Sequence, residues 1–250
     1  MSGHSKWHSI KHKKAAADAK RGKMFTKIIK EISIAARIGG GDAEANPRLR
    51  KAVLDARAVN MPADNIKRAI MKGTGQLGGS SYEDVIYEGY GPGGAALYIE
   101  ATTDNKNRTV SELRHIFTKN GGNIGESGCV GWMFKRKGYI IVEKEKAGNE
   151  DKLLEIVMNA SAEDMREDGS NWEIISAPEH YESVVEALKT QNIETASSSV
   201  AYLPQTYVKL EGKQAQQMLK LVDDLEDHED VQHVWSNFDI EETELEGLSS

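Results

Sequence analysis

Residues 3 to 32, GHSKWHSIKHKKAAADAKRGKMFTKIIKEI, carry Lys6, Lys11, Lys13, Lys14, Lys20, Arg21, Lys23, Lys27 and Lys30 against only Asp18 and Glu31. Cationic side chains neutralise phosphates and an aromatic ring stacks on an unpaired base, so lysines interleaved with Trp7 suit nucleic acid. His4, His8 and His12 recur every four residues, a spacing that on a helix would gather metal ligands. Ser2-Gly3 is a poor helix start, however, and the surrounding cations repel a divalent ion. Phosphate contact is the favoured chemistry for the whole segment, and Arg48, Arg50 and Lys51 further along extend the basic surface.

A second candidate is DNKNRT, residues 104 to 109, between a predicted strand and a helix N-terminus, where orphan N–H groups attract an anion and Asn105, Asn107 and Arg108 could hold it. On spacing alone turn chemistry is the better account: Asp104, Asn105 and Asn107 build the turn, and Thr109 with Glu112 forms a capping box. GYGPGG (89–94) lacks both the P-loop and the dinucleotide-binding order and reads as a glycine-permitted hairpin. GGNIGESG (121–128) reads as a loop that could bring backbone close to a partner. Nothing surrounds Cys129 as a nucleophile motif, serine has no G-x-S-x-G elbow, and H-E-x-x-H is absent. The acidic run VDDLEDHED (222–230) reads as a solvated helix face.

The elements that must position these residues belong to a chain of 250 residues, 39% hydrophobic and 28% charged, an ordinary globular composition. No apolar run approaches the ~20 residues needed to cross a bilayer, and no secretory apolar region opens the chain. One cysteine excludes an internal disulfide, so a reducing, cytoplasmic setting is expected. The net charge of −7 hides a segregation: residues 1 to 80 hold 17 Lys and Arg against 6 Asp and Glu, and residues 81 to 250 hold 15 against 33. Such asymmetry points to an anionic partner, and the acidic remainder would orient docking by repelling nucleic acid.

Hydrophobic periodicity predicts a helix from Ala15 to Ile38, with Phe25, Ile28, Ile29, Ile32 and Ala36 on one side and Lys20, Lys23, Lys27, Lys30 and Arg37 on the other. Arg21 and Ile34 violate that split. A second helix is expected from Asn46-Pro47 and a third near Pro62, giving a helical bundle behind a basic arm over residues 1 to 80. Strands are expected at VIYEGY, AALYIEATT and VGWMF (130–134), with a helix at TVSELRHIFTKN. Residues 135 to 205 follow the order βαββαβ of a ferredoxin-like split. Residues 206 to 240 give a β-α-β segment whose strands pair most simply with 81 to 134, so the 135–205 unit is expected as an insertion. Residues 241 to 250 read as an acidic tail.

GHSKW (3–7), HKKAAADAKRGKMFTKIIKEI (12–32), GGGDAEANPRLRKAV (39–53), YEGYGPGG (87–94), DNKNRTVSELRH (104–115) and GGNIGESGCVGWMF (121–134) closely resemble the YebC/PmpR family, which includes a mitochondrial translational activator. The resemblance implies an α+β protein with an N-terminal three-helix domain and two ferredoxin-like α+β domains, one inserted in the other. It implies no enzyme activity, and neither a cofactor nor a metal is expected. Bacterial members are designated DNA-binding transcriptional regulators; other relatives act in translation, at the ribosome and on proline-rich nascent stretches. The expected partner is thus nucleic acid, as DNA or ribosomal RNA, with no membrane role, and the expected contacts are the basic head and the DNKNRT loop. A translation factor on the ribosome is the alternative, and a metal-dependent hydrolase built on the histidine arm is the less favoured one.

Overall fold

A computed structural model describes residues 18–78, 81–241 and 244, with side chains described from Gly22 onward. Helix α1 spans Asp18–Gly39, α2 Pro47–Ala58 and α3 Ala63–Gly73. Residues 15 to 17 of the expected first helix lie outside the described residues. Asn46 starts α2 as predicted: its Oδ1 accepts from Leu49 N–H at 3.1 Å, and its Nδ2 donates to Ala35 and Gly40 carbonyls at 2.8 and 2.9 Å, tying the start of α2 to the end of α1. Ile32, Leu49, Ala52, Ala56, Ile66 and Ala69 form the bundle core. The approach of α1 to α3 is so close that a Cβ on Gly73 would lie 2.2 Å from the Ser33 carbonyl oxygen.

Two antiparallel four-stranded sheets follow. The first has the order β3-β1-β2-β9, from β1 (Glu83–Tyr90), β2 (Ala96–Thr103), β3 (Asn123–Ile124) and β9 (Val231–Ser236). GYGPGG is the hairpin connection between β1 and β2, with Gly93 and Gly94 at φ 69 and 77. Helices α4 (Lys106–Lys119) and α7 (Gly212–Glu226) pack on one face through Leu113, Phe117, Met218 and Val222 against Leu97, Ile99 and Val234. The second sheet has the order β5-β6-β4-β7, from β4 (Phe134–Glu143), β5 (Ala162–Asp168), β6 (Asn171–Ser176) and β7 (Ser197–Pro204). Its helices α5 (Glu150–Asn159) and α6 (Tyr181–Thr190) share one face, burying Leu153, Val157, Val184 and Leu188 on Ile140, Val142 and Ile174. This is the ferredoxin-like order read from the sequence. β8 (Val208–Lys209), expected to pair with a strand of 81–134, instead forms a short parallel pair with β10 (Phe238–Asp239).

Three local expectations are corrected. Helix α4 begins at Lys106, not Thr109: Asn105 is the cap, its Oδ1 accepting from Arg108 N–H at 3.1 Å. Thr109 lies inside the first turn, and its hydroxyl is taken by a buried carboxylate instead. VGWMF is not a strand of its own, because Val130 and Gly131 give their N–H groups to the Glu88 carboxylate rather than to a ladder. A 3₁₀ turn at Gly131–Met133 then leads into β4, which pairs wholly within the second sheet. The acidic run 222–230 is not merely a solvated face, since several of its carboxylates hold cations from other elements.

Candidate nucleic-acid interface

Helix α1 turns its lysine side toward the body. Lys27 Nζ donates to the carbonyl of Glu226 at 2.7 Å, at the C-terminus of α7, where carbonyls lack intrahelical partners and the helix dipole is negative. One turn on, Lys30 Nζ donates to the Glu229 carbonyl at 2.8 Å and to the carboxylate of Asp230. One turn back, Lys23 reaches Asp227 at 3.2 Å in an exposed pair. Three residues expected to hold phosphates therefore grip the acidic turn at 226–230.

Asp230 is the centre of that joint. Its carboxylate also accepts from the hydroxyls of Thr103 and Thr109, at 3.2 and 2.7 Å, and from the Arg108 guanidinium at 3.0 Å. Burial disfavours its charge, yet the hydrogen bonds from Lys30, Thr109 and Arg108 hold the carboxyl down at about 2. Arg108 is held more firmly protonated by Asp230 and also pairs with Asp104 at 3.0 Å. The DNKNRT loop is thus organised around a carboxylate of its own chain: Asn105 caps α4, Asn107 is exposed and Arg108 is paired.

Of the other expected contacts, His4, Lys6, Trp7, His8, Lys11, His12, Lys13 and Lys14 lie outside the described residues. So do the side chains of Lys20 and Arg21. Arg48 forks onto Glu31 at 2.7 and 2.9 Å and touches Asp84 at 3.1 Å. The hydrogen bond to Glu31 raises its pKa against the cost of burial. Arg50 donates to the carbonyls of Ala43 and Glu44, and Lys51 pairs with Asp55 at 2.9 Å. Arg57, Lys67 and Arg68, which the sequence reading did not single out, are exposed on α2 and α3 and make no ion pair among the described residues.

Glu112, His228 and Asp230 place one ligand atom each within 4.8 Å of one another. His228 Nδ1 accepts from Asp230 N–H at 3.1 Å, which leaves its Nε2 facing Glu112 at 2.9 Å. Both imidazole nitrogens are occupied and Asp230 already faces two cations, so this donor set is filled by the protein's own groups.

The loop after β3 folds around Glu88, whose buried carboxylate accepts backbone N–H groups from Gly128, Val130 and Gly131 at 2.7, 2.7 and 2.6 Å. Gly128, at φ 88, supplies the left-handed residue the loop needs. Trp132 follows directly, 70% exposed, its indole N–H donating to the Cys129 carbonyl at 3.1 Å. Burial pushes the Cys129 thiol up. Beside this loop lies a groove of about 510 Å³ on the helix-free face of the second sheet, lined by Lys135, Lys137, Tyr139, Arg166, Glu173 and Tyr207 among others.

Two family models match the chain: "TACO1/YebC protein N-terminal domain" over residues 5–76 and "TACO1/YebC second and third domain" over 82–238. A "Probable transcriptional regulatory protein" of Solibacter usitatus is 58% identical over 249 residues, covering 100% of both chains. One from Koribacter versatilis is 57% identical over 249 residues, also covering 100% of both. A crystal structure of a conserved hypothetical protein from Aquifex aeolicus superposes with a TM-score of 0.81 at 47% identity, covering 93% of this chain and 96% of that one. No helix among the described residues is long and apolar enough to cross a membrane.

Proposed function

This chain belongs to the TACO1/YebC family, and from that premise we propose that it is a non-enzymatic, cytoplasmic regulator of gene expression that binds nucleic acid through its basic head. The observation that carries the reading is the charge segregation, 17 basic against 6 acidic residues in the first 80. The names of the relatives support the regulatory half. Lys23, Lys27 and Lys30 serve the joint with the body, so phosphate contact falls to Lys6, Lys11, Lys13, Lys14, Lys20 and Arg21, supplemented by the solvent-facing Arg57, Lys67 and Arg68.

A salt titration with duplex DNA tests this. Neutralising about six phosphates gives a log–log slope near −5, and changing Lys11, Lys13 and Lys14 together to Gln lowers its magnitude by about 2 to 3. A slope near zero for the unaltered protein rejects the proposal. Deleting the first thirty residues is the wrong variant, because Phe25, Ile28 and Ile29 pack against the bundle core. Ribosomal RNA is the second reading, favoured by Trp7 among the lysines, since a ring in a basic arm stacks on unpaired bases. Crosslinking in cells separates the two: promoter DNA supports transcription, ribosomal RNA supports translation.

A further inference from the structure

Trp132 and Tyr207, 70% and 50% exposed, are the only exposed Phe, Tyr or Trp side chains among the described residues; Tyr207 lines the groove, and the Trp132 backbone is bonded to the lining residue Gln205. The Trp132 backbone is held next to the groove by Gln205, which gives its Nε2 to the Trp132 carbonyl at 3.0 Å and its backbone N–H to the Met133 carbonyl at 2.9 Å. An exposed indole ordinarily loses entropy when a ligand orders it. Here the ring is already fixed by its bond to Cys129, on a loop that Glu88 holds through three backbone N–H groups.

The floor of the groove is the helix-free face of the ferredoxin-like sheet. Lys135, Lys137 and Tyr139 come from β4, Glu173 and Ile175 from β6, and Asp164 and Arg166 from β5. Lys137 pairs sideways with Glu163, and Arg166 with Asp164, in partly exposed ion pairs that contribute little to stability and yield readily to a competing ligand. Lys135 is exposed and makes no ion pair among the described residues. Three cations, Lys135, Lys137 and Arg166, stand against three acids, Glu163, Asp164 and Glu173, and the buried Glu173 carboxylate accepts from the Tyr139 hydroxyl. A lining whose charges cancel offers hydrogen-bonding edges to neutral heterocycles and no net attraction to the dense phosphates of a duplex.

We propose that this groove is a second nucleic-acid site, specific for a short unpaired segment: bases stack on Trp132 and Tyr207 and turn their edges to the sheet, with the sugar-phosphate chain outside near Lys135. The proposal deepens the nucleic-acid reading and rests on it. It is tested with the full chain by fluorescence anisotropy, using fluorescein-labelled 12-nucleotide oligo-dT and oligo-U and a labelled 12-base-pair duplex. Trp132→Ala and Tyr207→Ala each weaken single-strand binding roughly tenfold, in the range that removal of a stacking ring produces, and leave duplex binding and thermal stability unchanged. Trp132→Phe and Tyr207→Phe, which keep a ring, restore most of the affinity. Single-strand affinity within twofold of the unaltered protein in both alanine variants overturns this site while leaving the basic head standing, as does an equal loss for strand and duplex. Absence of binding to any of the three probes overturns both readings.

Discussion

Lys30 and Asp230 are 200 residues apart in sequence and form an ion pair whose side chains are 7% and 3% exposed. Two charges so buried contribute stability only when the rest of their hydrogen-bonding capacity is met. Here it is met: Lys30 also reaches the Glu229 carbonyl, and Asp230 also receives Thr103, Thr109 and Arg108. The pair fixes the helical bundle to the body at the point where α7 ends and β9 begins. Opposite charges that the sequence suggests are held apart are in part closed on each other.

Removing one partner leaves the other charge buried and unpaired. Asp230→Asn is expected to lower the unfolding free energy by about 3 to 5 kcal/mol, the usual cost of breaking a buried pair. Lys23→Gln, at an exposed pair of the same joint, is expected to cost less than about 1 kcal/mol. Urea unfolding midpoints compare the two, and equal effects would show that burial is not what gives the Asp230 contact its strength.

The same carboxyl sets a pH dependence. Its pKa is about 2 in the folded chain against an ordinary 3.8, so its charged form is favoured by folding. The resulting stability, on the order of 2 kcal/mol, is fully present above pH 3.8 and is lost as pH falls through about 2. Acid unfolding followed by circular dichroism is expected to lose this increment in Asp230→Asn, whose curve flattens below pH 4.

Much of this joint was written in the sequence as an irregularity. Ile34 breaks the lysine side of α1, and in the structure it is 1% exposed, one turn beyond Lys30. A buried isoleucine on a charged stripe marks that stripe as an interface. Periodicity reports that a face is buried or charged, but not which distant segment meets it, so the partner turn at 226–230 was beyond local reading. The bundle, the Asn46 cap and the βαββαβ order were legible because each follows from short-range spacing. The α4 cap was not: Asn105 and Thr109 both suit a helix start, and only the distant Asp230 decides which of them caps and which is drawn inward. Glu88 was equally hidden, because its three donors are backbone groups on a loop 40 or more residues away.

That division of labour at α4 separates two substitutions. Asn105→Ala removes an exposed cap and is expected to cost about 1 kcal/mol. Thr109→Ala removes a buried hydroxyl from Asp230 and from Thr103, leaving acceptors partly unmet, and is expected to cost about 1 to 3 kcal/mol. If thermal melts rank them in the reverse order, the buried Thr109–Asp230 hydrogen bond contributes less than the exposed cap.

Glu88→Gln tests the loop that carries Trp132. Glutamine keeps one carbonyl oxygen and puts an amide donor against a backbone donor, so at least one of the three bonds from Gly128, Val130 and Gly131 is lost. The expected cost is about 1 to 3 kcal/mol. Hydrogen exchange should report it locally, with faster amide exchange at those three residues and unchanged rates in the α1–α3 bundle.

Cations that grip the body and cations that face solvent should also separate in nucleic-acid binding. Lys30 is buried and its charge is already met, so Lys30→Gln is expected to lower stability without changing the salt slope for duplex DNA. Lys67 and Arg68 are exposed on α3, beside buried Ile66 and Ala69, so changing both to Gln leaves the bundle core intact. Each phosphate contact they provide contributes about 0.9 to the slope, and the double variant is expected to reduce its magnitude by up to about 2 with little change in melting temperature. A slope that moves with Lys30 and ignores Lys67 and Arg68 would mean that the joint opens to admit nucleic acid. The acidic turn at 226–230 would then be a competitor for the same lysines rather than their permanent partner.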